Sequence, residues 1–177
     1  MESRARKSGL LPLCFYSDAE ILILGSLPSD ESIRKQEYYG NPKNYFWDIL
    51  SIVFGEAIGQ DYESKKEFLR RHHIALWDVI AEARREGSLD SNIKDERYND
   101  IESLLEKSSV KTIVLNGGKA ARAFRKYLRE NPSVRLYTGK CRILGYTSTS
   151  SLSASSGWSE ERIANQWKGL LTDETNQ

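Results

Sequence analysis

A short apolar run that ends at a glycine is the feature of this sequence that most limits its fold. Residues 21–24 are Ile-Leu-Ile-Leu, and the segment Gly25-Ser26-Leu27-Pro28-Ser29 follows at once. A continuous aliphatic run of this length indicates a strand that is buried on both faces, as in a parallel sheet. Glycine and proline give the following loop a defined shape, and Ser29 or Asp30 can cap a helix after it.

Helical and apolar segments alternate along the rest of the chain. Helical spacing or composition predicts helices in five segments, at residues 46–54, 62–71, 100–106, 119–129 and 158–171. Short apolar runs predict three further strands, at residues 74–79, 110–115 and 143–146. We expect Gly55 to end the first helix and Ser159 to cap the last. Residues 81–86 are expected to form a brief helical or loop piece.

Strands that alternate with helices predict a three-layer α/β/α sandwich around a central, mostly parallel four-stranded sheet. The length of 177 residues fits one domain over residues 1–177, with frayed polar ends at 1–8 and 172–177. Ligands bind beyond the carboxyl ends of the strands in such sheets. The loops after Leu24, Leu115 and Tyr146 should therefore converge on one site.

The segment from Tyr38 to Trp47 is rich in aromatic and amide side chains. It holds five aromatic residues and two asparagines among a glycine and a proline. Flat apolar rings beside amide groups suit a nucleobase, whereas core packing and turn capping are the structural alternative. The segment therefore predicts either a base pocket or a turn above the core.

Several classes of function lack their residues. The sequence has no GxGxxG after the first strand, no GxxxxGK[ST] and no GxSxG. Its two histidines are adjacent, and neighbours in sequence rarely share one metal ion, so we expect no metal and no cofactor. Cys14 and Cys141 lack a CxxC companion, which fits reduced thiols inside a cell. No apolar run is long enough to span a membrane.

The charge balance is not in itself that of a nucleic-acid-binding protein. The formal net charge is +1, although basic residues cluster at 4–7, 122–129 and 135–142. Such clusters are usually solvated faces. An enzyme that acts on a single flipped base needs only a few phosphate contacts, so near-neutrality is compatible with that function.

The predicted set of loops suits cleavage of a bond between a base and deoxyribose. This reaction develops positive charge on the sugar and negative charge on the base, so the site must donate hydrogen bonds to the base and direct water to the sugar. Backbone N–H groups near Gly25 and Ser26 can donate to the base, and Tyr39 or Phe46 can stack on it. An asparagine amide can orient the water.

Motifs along most of the chain resemble those of the uracil-DNA glycosylase superfamily. They are GSLPS, QEYYGNPKNYFW, LWDV with GSLD, VLNGGKA, and TSTSSLSAS before WSEER. The sequence is most similar to the hypoxanthine (deoxyinosine) DNA glycosylase branch, near the mismatch-specific uracil and thymine glycosylases. Some branches of the superfamily hold an iron–sulfur cluster, which needs four thiolates, and two cysteines cannot supply them.

The resemblance implies roles for residues of the first motif and the aromatic segment. Some branches place a catalytic Asp or Asn where this chain has Ser26 and Leu27, whereas the hypoxanthine branch uses an Asn outside that motif. Asn44 is the preferred catalytic candidate, with Asn41 and Ser26 as further candidates. The implied base-binding residues are Gly25, Ser26, Leu27, Tyr39, Phe46 and Asn116.

The Ser/Thr-rich run at residues 147–156 resembles the family loop that grips phosphates and pushes a side chain into the vacated base stack. The implied DNA-binding residues are Lys43, Ser148, Thr149, Ser150, Leu152 and Ser153, with Leu152 as the inserted wedge. Many members of the branch have a proline where this chain has Ser151. The structural alternative for the run is a flexible linker.

Asp78 and Asp90 are the acids nearest to the predicted strand ends. Either can assist in activating water, but a structural cap is the expected role of both.

Together these features predict a monofunctional DNA glycosylase that removes hypoxanthine, and secondarily uracil, from damaged DNA. The alternatives are a mismatch-specific uracil or thymine glycosylase, a non-catalytic module that binds damaged DNA or a nucleotide, and a hydrolase of free nucleosides. We expect a monomer with no membrane contact. The expected location is cytoplasmic, with the nucleoid in a prokaryote, or nuclear in a eukaryote.

Overall fold

The aliphatic run at residues 21–25 is an inner strand of a parallel sheet in the computed structural model, which describes residues 6–13 and 16–172. The strands are β1 (Arg6–Ser8), β2 (Ile21–Gly25), β3 (Ile74–Asp78), β4 (Ile80–Arg84), β5 (Lys94–Tyr98), β6 (Thr112–Asn116) and β7 (Arg142–Tyr146). The α-helices are α1 (Asp30–Lys35), α2 (Phe46–Phe54), α3 (Tyr62–Arg71), α4 (Ile101–Glu106), α5 (Gly118–Glu130), α6 (Arg135–Thr138) and α7 (Glu160–Trp167).

Four of these strands form one sheet in the order β3-β2-β6-β7, and every neighbouring pair runs parallel. β2 therefore has a partner on both edges, which explains why its sequence lacks a polar face. The carboxyl ends of all four strands lie at one edge, where Gly25 is opposite Asp78 and Asn116 is opposite Tyr146.

Alternate residues of the strands pack into two cores on opposite faces of this sheet. Leu22 and Leu24 join one core, and Ile23 between them joins the other. The first core is completed by residues of α4 and α5, and the second by residues of α2, α3 and α7. Helices thus cover both faces, and the predicted three-layer α/β/α sandwich with a four-stranded sheet is confirmed.

Helix boundaries follow the capping signals in the sequence. Ser29 accepts a hydrogen bond from the backbone N–H of Ser32 at the start of α1, and Ser159 accepts one from that of Arg162 at the start of α7. Gly55 ends α2 with a φ of 64°, a left-handed conformation that favours glycine. The predicted caps are confirmed at all three positions.

A second sheet was not predicted. β1, β4 and β5 form an antiparallel sheet in the order β1-β4-β5. The prediction of a helical or loop piece at residues 81–86 is therefore wrong, because alanine and glutamate favour a helix only where no neighbouring strand competes for the backbone. Lys94–Tyr98 has no apolar alternation, so its pairing with β4 alone defines it as a strand.

The termini differ in part from the expectation. Arg6–Ser8 pairs with β4, so the predicted fraying of residues 1–8 is wrong for these three positions. Residues 1–5, 14, 15 and 173–177, including Cys14, lie outside the described residues. Across residues 6–13 and 16–172, no helix is both long and apolar enough to cross a membrane.

We expect the same substitution, isoleucine to valine, to cost more free energy of unfolding at a buried position than at an exposed one. Ile23→Val in β2 removes a methylene from a fully buried side chain and should lower the free energy of unfolding by about 1 kcal/mol. Ile143→Val in β7, where the side chain is 41% exposed, should change it by less than about 0.5 kcal/mol. Urea unfolding of both variants measures the difference, and equal losses would contradict the assigned burial.

Candidate active site

A cavity of about 630 Å³ opens at the carboxyl edge of the parallel sheet. Its wall is built from the loop after β2, the aromatic segment before α2, the Gly-Ser-Leu-Asp loop at residues 87–90 and the Ser/Thr-rich loop after β7, together with Asn116 at the end of β6. The predicted site residues that line it are Gly25, Ser26, Leu27, Tyr39, Asn41, Lys43, Asn44, Asn116, Ser148, Thr149, Ser150, Leu152 and Ser153. The expected convergence of the loops is confirmed.

A buried arginine fixes the loop after β2. The guanidinium of Arg85 donates hydrogen bonds to the carbonyl oxygens of Leu27 at 3.3 Å, Pro28 at 2.5 Å and Gly87 at 2.9 Å. Its side chain is fully buried, and one of its nitrogens lies 3.5 Å from a carboxylate oxygen of Asp30. Arg85 therefore joins two loops of the cavity. Its sequence neighbourhood is charged, so nothing in the sequence distinguishes it from an exposed arginine.

The Gly-Ser-Leu-Asp loop is attached to the loop after β2 by its side chains. The Ser26 hydroxyl donates to Asp90 Oδ1 at 2.7 Å, and the backbone N–H of Asp30 donates to Ser88 Oγ at 3.0 Å. Between these two anchors, Leu89 is 48% exposed at the cavity. The predicted capping role of Asp90 is replaced by a hydrogen bond between loops.

A hydrogen-bonded chain of amides and hydroxyls joins the other loops. Asn44 Oδ1 accepts from the backbone N–H of Phe46 at 3.0 Å and from the Thr149 hydroxyl at 2.7 Å. Asn116 Nδ2 donates to Thr149 Oγ1 at 3.1 Å and to the Tyr39 hydroxyl at 3.0 Å. The backbone N–H of Thr149 donates to Asn116 Oδ1 at 3.0 Å, so the amide orientations follow from backbone donors.

This chain limits what each amide can do. Both lone pairs of Asn44 Oδ1 are in use, so its NH2 group is the part of the amide left for a ligand. In the described part of the chain, Asn41 Oδ1 accepts only from the backbone N–H of Lys43, at 3.0 Å, and retains capacity for a second donor. Asn116 uses both amide hydrogens inside the protein, which leaves one lone pair of its oxygen to contact a base.

The two aromatic candidates lie one above the other. The rings of Tyr39 and Phe46 stack with centroids 3.7 Å apart, and only Tyr39 lines the cavity. Phe46 is fully buried in the second core, so its predicted contact with a base does not fit this placement. Tyr39 has a φ of 53°, a conformation that is rare for a bulky residue and that directs its ring over Phe46.

The Ser/Thr-rich loop is ordered by its own hydroxyl groups. Residues 151–156 form a 3₁₀ helix, and the Ser153 hydroxyl donates to the Ser148 carbonyl at 2.9 Å. Ser148 Oγ in turn accepts from the backbone N–H of Ser150 at 3.2 Å. The linker alternative is therefore wrong for this segment.

The same loop separates an exposed residue from a buried one. Leu152 is 61% exposed at the rim of the cavity, as a wedge requires. Thr149 is fully buried, and its hydroxyl is held by Asn44 and Asn116. Thr149 thus joins loops inside the protein, and its predicted contact with phosphate does not fit this placement.

Asp78 has a more prominent place in the site than its sequence predicted. The carboxyl lines the cavity at the end of β3 although the residue is only 5% exposed. Burial and the nearby Asp90 carboxylate raise the pKa of Asp78 to about 7, and Arg85 opposes this shift. The predicted capping role is absent, because neither side-chain oxygen accepts a hydrogen bond from any residue in the described part of the chain.

The site combines an aromatic face, amide and hydroxyl donors and one carboxyl group of raised pKa. Such a set can bind a flat polar ring and offer donors to it, while exposed side chains at the rim contact a larger molecule around that ring. A base that is rotated out of DNA meets these requirements.

Comparisons with known proteins agree with this chemistry. A family model described as the uracil DNA glycosylase superfamily matches residues 14–170. A protein of Methanosarcina acetivorans named hypoxanthine DNA glycosylase is 51% identical over 112 residues, which are 62% of this chain and 70% of that protein. One of Methanosarcina barkeri with the same name is 38% identical over 161 residues, covering 88% and 97% of the two chains.

A solved structure shares the fold. The solution NMR structure of a candidate uracil DNA glycosylase from Methanosarcina acetivorans superimposes with a TM-score of 0.75 at 36% identity. The superposition covers 95% of this chain and 100% of that one.

Proposed function

Because this chain belongs to the uracil DNA glycosylase superfamily, we propose that it flips a deaminated base out of DNA and hydrolyses its N-glycosidic bond. Hypoxanthine is the first substrate and uracil the second, since two similar proteins are named hypoxanthine DNA glycosylase. The product is DNA with an abasic site. The observation that best supports this function is the cavity of about 630 Å³, lined by the Tyr39 ring and by amide groups at the carboxyl edge of the sheet.

The geometry suggests how the reaction proceeds. Tyr39 offers a flat face to the base, and its hydroxyl, which accepts from Asn116, keeps its own proton for donation. The NH2 group of Asn44 is a second donor to the base as negative charge develops there. Asn41 Oδ1 has a lone pair free to orient a water molecule towards the sugar.

We expect release of the base without cleavage of the DNA strand. Among the cavity residues in the described part of the chain, the only lysine is the exposed Lys43 at the rim. A Schiff base requires a lysine whose amine reaches the sugar carbon and is neutral. Water therefore serves as the nucleophile, and the enzyme is monofunctional.

The finer assignments belong to the same proposal. The inserted wedge is Leu152, and phosphate contacts come from Lys43, Ser148, Ser150 and Ser153. The protein is one domain over residues 1–177 that acts as a monomer. It works where DNA is found, in the cytoplasm with the nucleoid or in a nucleus.

A duplex carrying one deoxyinosine tests the function directly. We expect release of hypoxanthine and a strand break only after treatment with alkali, with slower release of uracil from a matched deoxyuridine duplex. An undamaged duplex and free inosine serve as controls. Binding of the damaged duplex without base release would indicate a binding module, and release from free inosine at an equal rate would indicate a nucleoside hydrolase.

A further inference from the structure

We propose that Asp78 contacts the flipped base and donates a proton to it as the glycosidic bond breaks. This inference rests on the proposed function and assigns to the site a general acid. Asp78 lies in the LWDV motif, where the sequence predicted a structural cap and not a proton donor.

The first observation is that Oδ2 of the Asp78 carboxyl group has no hydrogen-bond partner in the described part of the chain. Asp78 is only 5% exposed. Asn99 donates a hydrogen bond to its backbone carbonyl rather than to its side chain. Asp78 Oδ2 is closed off from solvent and has no donor or acceptor among residues 6–13 and 16–172. An unsatisfied buried polar atom destabilises the folded protein, so its presence in a cavity wall calls for an explanation.

The second observation is the close approach of the carboxyl group to Gly25. Asp78 is opposite Gly25 in the register of β2 and β3. A Cβ atom on Gly25 would lie 2.5 Å from Asp78 Oδ1 and 3.3 Å from the Tyr39 hydroxyl oxygen. Both oxygens therefore lie against Gly25. Because Asp78 lines the cavity and its Oδ2 is closed off from solvent, Oδ1 is the carboxyl oxygen that a ligand can reach.

The third observation is the charge around this group. The titratable groups that face Asp78 are Asp90, Arg85, Tyr38 and Tyr39. Arg85 directs its hydrogen bonds to backbone carbonyls, whereas the Asp90 carboxylate disfavours a second negative charge nearby. Burial and the Asp90 carboxylate together raise the pKa of Asp78 to about 7, so the neutral acid is well populated at neutral pH.

A neutral carboxyl group in this position can supply the proton that a departing purine base needs. The bond between C1′ and N9 of the base breaks, and its electron pair stays with the base. The proton of Asp78 moves to a ring nitrogen of the departing hypoxanthine, so that the base leaves as a neutral molecule. Water adds its oxygen to C1′ and loses one proton to solvent, and solvent returns a proton to Asp78.

The two candidate bases differ in where they can accept a proton. Hypoxanthine has ring nitrogens with free lone pairs at N3 and N7 that can accept the proton. Uracil has only carbonyl oxygens as acceptors, because its second ring nitrogen already bears hydrogen. Proton donation by Asp78 therefore assists hypoxanthine more than uracil, and general acid catalysis contributes about 10²–10⁴-fold in enzymes.

The test is the rate of base release under single turnover, from about pH 5 to about pH 9, with deoxyinosine and deoxyuridine duplexes. For the wild type we expect release of hypoxanthine to slow as pH rises through about 7. Asp78→Asn keeps the size of the side chain but cannot transfer a proton. It should release hypoxanthine about 10²-fold more slowly at low pH, with this pH dependence removed, and lose less than about 10-fold on uracil. Asp48→Asn, an exposed carboxylate of α2, is the matched control.

Thermal unfolding provides a readout independent of activity. The pKa of Asp78 is raised in the folded state, so between about pH 4 and about pH 7 the folded protein binds more protons than the unfolded chain, and its stability falls as pH rises. Asp78→Asn should therefore melt above the wild type at about pH 8 and close to it at about pH 4.

The outcomes separate the two proposals. If Asp78→Asn shows this change in melting but keeps the wild-type rate and pH profile, Asp78 is a structural group and the inference is wrong. A wild-type rate on deoxyinosine that does not change with pH overturns it without any variant. If the wild type releases neither base, the proposed function fails, and the inference fails with it.

Discussion

Asn44→Ala is expected to slow the release of hypoxanthine by about 10²–10³-fold, the usual effect of removing one donor from a site where charge develops. The NH2 group of Asn44 has no acceptor in the described part of the chain, whereas its oxygen is fully engaged. Alanine removes both ends of the amide. The measurement is the single-turnover rate on a deoxyinosine duplex together with the affinity for that duplex.

Asn44→Asp is the variant that separates the two ends of the amide. A carboxylate oxygen can still accept from the backbone of Phe46 and from the Thr149 hydroxyl, so the loops stay joined. It cannot donate, and its charge opposes the developing charge of the base. We expect Asn44→Asp to melt like the wild type and Asn44→Ala to lose about 1–3 kcal/mol of free energy of unfolding. Both variants should have low activity.

An Asn44→Asp enzyme that is as active as the wild type would remove the amide donor from the mechanism. Asn41→Ala provides the comparison within the same segment. Among the described residues, the side-chain oxygen of Asn41 accepts only from the backbone of Lys43, so loss of this side chain should affect activity with little change in melting. If Asn41→Ala is the more damaging of the two alanine variants, Asn41 is the principal catalytic amide.

Gly25→Ala is expected to lower both activity and stability. The new methyl group would lie 2.5 Å from Asp78 Oδ1, so the carboxyl group, the strand end or the Tyr39 hydroxyl must move. Overpacking of this kind costs about 1–3 kcal/mol, and displacement of the base-binding groups should slow release of hypoxanthine by about 10²-fold. Urea unfolding and the deoxyinosine assay measure the two effects.

Gly145→Ala is the matched control for this substitution. Gly145 lies in β7 of the same sheet, and a Cβ atom there meets nothing within 4 Å. A cost at Gly145 equal to that at Gly25 would show that the effect comes from the backbone rather than from the contact.

A double-mutant cycle identifies the clashing partner. In an Asp78→Ala background the carboxyl group is absent, so Gly25→Ala should cost less free energy of unfolding than it does in the wild type. Additive costs would mean that Gly25 contributes through another neighbour, such as the Tyr39 hydroxyl.

The sequence by itself determined the parallel sheet, the layers and the edge at which the site lies. Uninterrupted aliphatic runs, helical spacing and capping residues act over a few neighbouring positions, so they can be recognised without the fold. The runs at 21–24, 74–79, 110–115 and 143–146 all became strands of one sheet. Because the strands are parallel, their following loops meet at one edge, and most of the predicted site residues line the cavity there.

Only the tertiary structure decided which polar groups are committed inside the protein and which remain for a ligand. Asn44, Asn116 and Thr149 are all polar residues in predicted loops. Their mutual hydrogen bonds bury Thr149 and leave the NH2 group of Asn44 without an acceptor in the described part of the chain. Asp78 resembled a capping residue in the sequence. The fold instead placed its Oδ1 against Gly25 and left its Oδ2 without a partner in the described part of the chain. Burial, unlike periodicity, depends on residues far apart in the chain, and burial sets both the hydrogen bonds and the pKa of these groups.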